Sequence, residues 1–263
     1  MTVPCYNPAM EQKIAEIIRQ TTAARNAEET EGIERWRTPL VSFASADDPL
    51  MTELKNWVDP KHLLPGDMLK GAQSVICYYL PFNPEIPKSN RGERLASREW
   101  VDTYVETNKL IDVINEKLKN YLAAEGYACE TTPATHNFDP KVLISYWSHR
   151  HLAYIAGLGT FGLNNMLITD EGTAGRFGSC VTNLKLTPGK RPDGENCLYK
   201  AKGTCGVCAK KCVNGALTTD GFDRFKCYDM CLENDAANNI GTLADVCGKC
   251  IAGMPCSNRN PMK

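Results

Sequence analysis

Met10, Ile14, Ile17 and Ile18 recur at helical spacing, and this predicts an amphipathic helix at the start of the chain. Residues 28–37 are polar and charged, and read as a solvated helix end and loop. Residues 40–43 (Leu-Val-Ser-Phe) predict a short strand, and Leu64-Pro65-Gly66 a turn. Residues 74–80 (Ser-Val-Ile-Cys-Tyr-Tyr-Leu) are apolar, aromatic and β-branched, and Pro81 ends them. They read as a buried central strand, with Cys77 as a small core hydrophobe. Residues 82–94 are rich in Pro, Asn and charge and predict a long loop, often a functional lid. Trp100, Tyr104, Ile111, Ile114, Leu118 and Leu122 trace one face of a long helix that Gly126 stops. Residues 128–132 and 141–144 predict strands. Ser145 or Ser148 can cap a helix over 148–156. A strand over 166–169, a glycine-rich stretch over 172–178 and a strand over 181–186 follow.

Residues 188–196 are rich in Pro, Gly and charge, and a domain boundary is placed there. The chain is thus read as 1–190, an α/β (α+β) domain, and 191–263, a second and smaller one. Hydrophobic residues make up 43% and charged residues 23%, enough apolar chain for a substantial core. The formal net charge of −1 gives no global field toward nucleic acid, and no apolar run reaches the roughly 20 residues that span a bilayer. The N-terminus lacks a secretory pattern and the thiols look unpaired, so the expectation is a reducing cytoplasm and no membrane partner.

Chemistry concentrates in the second segment. Nine of the 13 cysteines lie between Cys197 and Cys256: Cys197, Cys205, Cys208, Cys212, Cys227, Cys231, Cys247, Cys250 and Cys256. Cys205-x2-Cys208-x3-Cys212 is answered by Cys247-x2-Cys250-x5-Cys256, close to the run of two-cluster bacterial ferredoxins, in which the cysteine after the x3 gap serves the other cluster. A cubane needs thiolates converging from several directions. A tight loop with x2 gaps supplies two or three, and a remote cysteine closes the set. The spacing predicts two [4Fe–4S] clusters, one on Cys197, Cys205, Cys208 and Cys256, the other on Cys212, Cys227, Cys247 and Cys250. Cys231, four residues after Cys227, is the alternative ligand. Zinc held by Cys205, Cys208, Cys247 and Cys250 leaves five thiols idle, and a disulfide framework suits small secreted chains.

Two further features lie in the first segment. His149 and His151, two apart, do not share a helix face and are poor ligands of a single metal. Gly157-Leu-Gly159-Thr-Phe-Gly162 matches G-x-G-x-x-G, but it follows a helix and precedes a strand, the reverse of a dinucleotide fingerprint. Its glycines read as a tight turn where backbone approaches a ligand or another element.

Taken together, Leu64-Pro-Gly-Asp, residues 74–81, residues 153–164 (Ala-Tyr-Ile-Ala-Gly-Leu-Gly-Thr-Phe-Gly-Leu-Asn), residues 178–186 and the C-terminal cysteines resemble the epoxyqueuosine reductase family over roughly residues 40–256. The resemblance implies a nitroreductase-like domain holding cobalamin, followed by a bacterial-ferredoxin-like domain that caps it and feeds electrons to cobalt. It implies the same two cysteine sets, and places Gly157, Gly159, Gly162 and Asn164 against the cofactor. The family's Asp proton donor falls at Leu143 here, and its Lys in the glycine turn at Leu163. The chain stops soon after Cys256, where the family carries a helical-repeat domain that grips tRNA. Tyr146, His149, His151 and Tyr154 are the candidate proton donors near the missing Asp.

The expected function is therefore a corrinoid-dependent iron–sulfur reductase. Its electrons come from an external donor such as a ferredoxin or flavodoxin, and its substrate is a small molecule or corrinoid protein rather than tRNA. The alternative is an electron-transfer or corrinoid-reactivating protein that acts on a protein partner.

Overall fold

The computed structural model describes residues 6–28, 34–133 and 138–263. In chain order the elements are α1 (Pro8–Ala27), β1 (Leu40–Ser45), α2 (Pro49–Trp57), α3 (Pro65–Met68), β2 (Ser74–Pro81), α4 (Glu85–Ser89), α5 (Arg98–Ala124), β3 (Cys129–Thr131), β4 (Phe138–Asp139), β5 (Ile144–Ser145), α6 (His149–Ile155), β6 (Gly159–Phe161), β7 (Leu167–Thr169), β8 (Gly175–Thr182), α7 (Leu198–Lys202), α8 (Val207–Lys210) and α9 (Arg224–Asn238).

The central sheet has the order β1-β2-β8-β3, with every neighbouring pair antiparallel. All eight residues of β2 are buried, because helices cover both faces. Side chains alternate across a strand. Ile76, Tyr78 and Leu80 join the core formed with Ile14 and Ile18 of α1 and Ile111, Ile114 and Leu118 of α5. Val75, Cys77 and Tyr79 join the opposite core, with Leu54 of α2 and Leu152 and Ile155 of α6. Each fully buried aliphatic contributes about 1.5–3 kcal/mol, so this strand is a major source of stability.

Helix starts follow the capping residues. Asn7 accepts the Met10 N–H at 3.2 Å, Asp48 the Leu50 N–H at 3.0 Å, and Ser97 the Trp100 N–H at 3.3 Å. Gly126, at φ 85°, follows the end of α5.

Four expectations change. Strand β8 begins at Gly175, inside the stretch read as glycine-rich connection, and ends at Thr182. Gly178 pairs across the sheet with Tyr78, and a Cβ on it would overlap the Tyr78 ring, just as one on Gly175 would overlap Tyr79. These glycines are strand residues because two aromatic neighbours need their space. Residues 141–143 form a turn between β4 and β5 rather than a strand, and Leu143 there has φ 53°. Leu64-Pro-Gly opens the single helical turn α3, with Asp67 accepting the Leu64 N–H at 2.8 Å. The long loop contains α4.

The cysteine-rich segment is fastened along the loop before α5. Asn90 donates to the Cys247 carbonyl at 2.9 Å, Lys249 to the Asn90 carbonyl at 3.0 Å, and the Ala96 N–H to Asn234 at 2.6 Å. Ala244 and Ile251 are buried in the same core as Trp100 and Ile111. Among the described residues no helix is long and apolar enough to cross a membrane.

Candidate metal and cofactor centre

The nine clustered thiols border two cavities. Cys197, Cys205, Cys208 and Cys256 line the first, beside Met254 and Pro255. Left-handed backbone makes this possible: Gly203 (φ 66°), Cys205 (φ 87°) and Gly206 (φ 72°) fold the chain back so that Cys205 and Cys208 face the same space as Cys197. Burial, then the neighbouring Cys208 and Cys197, push the Cys256 thiol up to about 12. Burial also raises Cys208, against the backbone N–H of Ala209. Thiols this crowded and desolvated become thiolates together when a cation binds among them.

Cys212, Cys227, Cys231, Cys247 and Cys250 line the second cavity, of ≈ 490 Å³. Cys212 Sγ receives the Leu217 N–H at 3.3 Å. Cys227 and Cys231 stand one turn apart on α9 with their thiols hydrogen-bonded: the Cys231 S–H lowers Cys227, and Cys231 is itself held well above its ordinary value. Burial raises Cys247 and Cys250. Among the described residues no three His, Cys, Asp or Glu side chains converge as ligands of a single ion. The four-cysteine zinc set is split, with Cys205 and Cys208 on one cavity and Cys247 and Cys250 on the other.

One wall of the second cavity comes from the first segment. Trp100 and Tyr104 of α5, Leu143, Arg150, Met166 and Arg176 line it. Tyr104 donates to Asp245 Oδ1 at 2.8 Å, and the Arg176 guanidinium lies 4.4 Å over the Tyr104 ring. Desolvation and then the Asp245 carboxylate raise the Tyr228 phenol, which hydrogen-bonds the same carboxylate. Arg150 donates to the Asn165 carbonyl at 2.8 Å. Its volume lies in the range of small-molecule and cofactor sites, roughly 300–1,000 Å³. Its aromatic walls carry cationic and phenolic edges.

The candidate proton donors lie elsewhere. Neither cavity is lined by Tyr146, His149, His151 or Tyr154. Tyr146 donates to Asp139 at 3.2 Å. His149 Nδ1 pairs with the buried Ser179 hydroxyl at 2.8 Å, and His151 Nδ1 with Ser148 at 2.7 Å. Tyr154 packs edge-on to Trp57. The glycine turn is divided. A Cβ on Gly157 would meet the Lys190 backbone, and one on Gly159 the Ile168 carbonyl of the paired strand β7. Gly162 lines the first cavity, and Asn164 lines both and donates to the Cys250 carbonyl at 3.1 Å. Nothing in the sequence pattern marks Tyr104, Arg176 and Asp245 as lining one cavity. Tyr104 stands in an apolar helical stripe, and only a contact across 141 residues makes it a site residue.

No protein-family model and no curated protein matches the chain. Solved structures do. An epoxyqueuosine reductase bound to an epoxyqueuosine-modified tRNA stem loop matches with TM-score 0.59 and 17% identity, over 95% of this chain and 65% of that one. The epoxyqueuosine reductase of Streptococcus thermophilus matches with TM-score 0.58 and 16% identity, over 96% and 68%. A catabolic reductive dehalogenase matches with TM-score 0.56 and 15% identity, over 84% of this chain and 30% of that one. The chain thus spans about two thirds of the length of these epoxyqueuosine reductases. At such identities the likeness is one of backbone architecture, and on that ground this mixed helix-and-sheet chain has the epoxyqueuosine reductase fold.

Proposed function

We propose that the protein is a corrinoid-dependent iron–sulfur reductase that carries two [4Fe–4S] clusters. One observation carries this reading. The two cysteine sets drawn from spacing fall four and four on two cavities, and the second cavity opens against an aromatic and cationic wall of the first segment. Cys197, Cys205, Cys208 and Cys256 would hold one cluster. Cys212, Cys227, Cys247 and Cys250 would hold the other, with Cys231 donating its S–H to Cys227. Asn164, Met166, Tyr104 and Arg176 would hold the corrinoid. When bound, the clusters supply one-electron transfer and the corrinoid a strongly reducing cobalt. The chain's own task is to exclude water with Trp100, Tyr104 and Met166, and to keep the two thiolate sets at fixed separation on one core.

The proposed substrate is not tRNA. Leu143, an apolar residue, stands in the cavity wall at the position where the resemblance implies an acid. Among the proton-bearing groups that line the cavity are the phenols of Tyr104 and Tyr228, both hydrogen-bonded to Asp245. Anaerobic reconstitution tests the reading. About eight iron and eight sulfide per chain are expected. Titration with cob(II)alamin should give the electron paramagnetic resonance signal of a base-off corrinoid. Full cluster content with no change in the cobalamin signal would remove the corrinoid. Conversion of epoxyqueuosine in tRNA would overturn the choice of substrate.

A further inference from the structure

The cysteine-rich segment is strongly polarised in charge. Residues 197–215 carry Lys200, Lys202, Lys210 and Lys211 and no acid, within a chain of net charge −1. Residues 216–246 carry six acids against Arg224 and Lys226. All four lysines are exposed, and none forms an ion pair among the described residues. Between the two lysine pairs lies Cys205, the one exposed thiol among the described cysteines, which also lines the first cavity. Lys202 is three residues from Cys205, so their Cα atoms lie within about 11 Å. The other cysteines proposed as ligands are buried or half-buried.

We propose that this lysine rim is the docking surface of an acidic electron-carrier protein, which delivers electrons at Cys205 to the first cluster. The proposal rests on the two-cluster reading above. Electron transfer weakens steeply with distance, so a carrier must reach the thiol that comes to the surface. Unpaired surface charge of one sign steers a partner of opposite sign and raises its association rate. The acids of residues 216–246 repel the same carrier from the second cluster. Entry is thereby confined to the first cluster, and the second, on the larger cavity, lies downstream.

The test is stopped-flow bleaching of the reconstituted holoprotein's visible absorbance by a reduced acidic ferredoxin, alongside the same measurement with dithionite. In the wild type the ferredoxin rate should fall steeply between low and 0.5 M salt. Lys200→Glu/Lys202→Glu and Lys210→Glu/Lys211→Glu, each as a pair, should slow ferredoxin at low salt at least fivefold, and the quadruple variant at least tenfold. Dithionite rates and iron and sulfide content should not change. Lys55→Glu/Lys70→Glu, on exposed lysines in another part of the chain, should leave the ferredoxin rate as it was. Ferredoxin rates unaffected by both salt and the paired variants, on protein with full iron and sulfide, would overturn the docking surface and leave the two-cluster reading standing. Protein without iron and sulfide would overturn both. Unchanged ferredoxin rates together with lost binding of a tRNA probe would make the rim a nucleic-acid surface instead.

Discussion

Substitution of Gly248 by alanine tests how the cysteine loop is seated on the first segment. Gly248 follows Cys247 directly, has φ 72°, and accepts the Ile251 and Ala252 N–H groups at 3.1 and 3.0 Å. Its open side faces the indole of Trp100, which is 3% exposed and packs edge-on to Phe82. A Cβ there would lie inside the indole. Two costs follow. Left-handed backbone costs an L-residue about 1–2 kcal/mol, and forcing a methyl into a packed core about 1–3 kcal/mol. Gly248→Ala should therefore destabilise by about 2–5 kcal/mol, of which only the backbone part remains when Trp100→Leu opens the space. Urea unfolding followed by far-ultraviolet circular dichroism, on wild type, both single variants and the double, gives the coupling directly. It should be 1–3 kcal/mol. Because the displaced residue lies between Cys247 and Cys250, iron should fall toward half, with the cluster on Cys197, Cys205, Cys208 and Cys256 retained. A Gly248→Ala cost that is the same in both Trp100 backgrounds, with full iron, would refute the seating.

The other tests are shorter. Cys208→Ser and Cys247→Ser should each lose about half the iron and a different paramagnetic signal, since cubane sets are independent, whereas Cys77→Ala and Cys180→Ala should lose none; Cys5 lies outside the described residues. Cys231→Ala should keep both clusters and Cys227→Ala should lose one; the reverse result would exchange the ligand and its hydrogen-bond partner. Desolvation, then Arg176, lowers His149 to about 4, and desolvation, then Arg150, lowers His151 to about 4. Both are neutral in the folded chain, and the unfolded chain binds more protons below its ordinary value of 6.5, so stability is complete above pH 6.5 and falls as pH drops toward 4. His149→Gln should flatten the fall by about 3 kcal/mol, measured as the pH dependence of the urea midpoint. Gly159→Val should prevent folding rather than empty a cofactor site, because its side chain would displace the Ile168 carbonyl of the paired strand; a soluble, clustered variant would contradict this.

Local pattern determined much of this protein. The apolar stripe of α1 and α5 and the continuous apolar run of β2 are decided by nearest neighbours and burial, and each element forms where its residues say, whereas the Ser148 hydroxyl at the start of α6 pairs with His151 and caps no backbone N–H. The cysteine spacing was equally local: x2 gaps on tight loops place sulfurs on one side, and the sets they imply lie on separate cavities. Tertiary structure decided the rest. Strand β8 runs through Gly175 and Gly178, against their propensity, because the rings of Tyr78 and Tyr79 fill the space that side chains would need. His149 and His151 drew notice by type, but the helix turns them to Ser179 and Ser148, away from either cavity. Tyr104, Arg176 and Asp245 are ordinary in the sequence. They become a site only where α5, β8 and the cysteine loop meet, since a polar group's role depends on partners that folding brings from more than a hundred residues away.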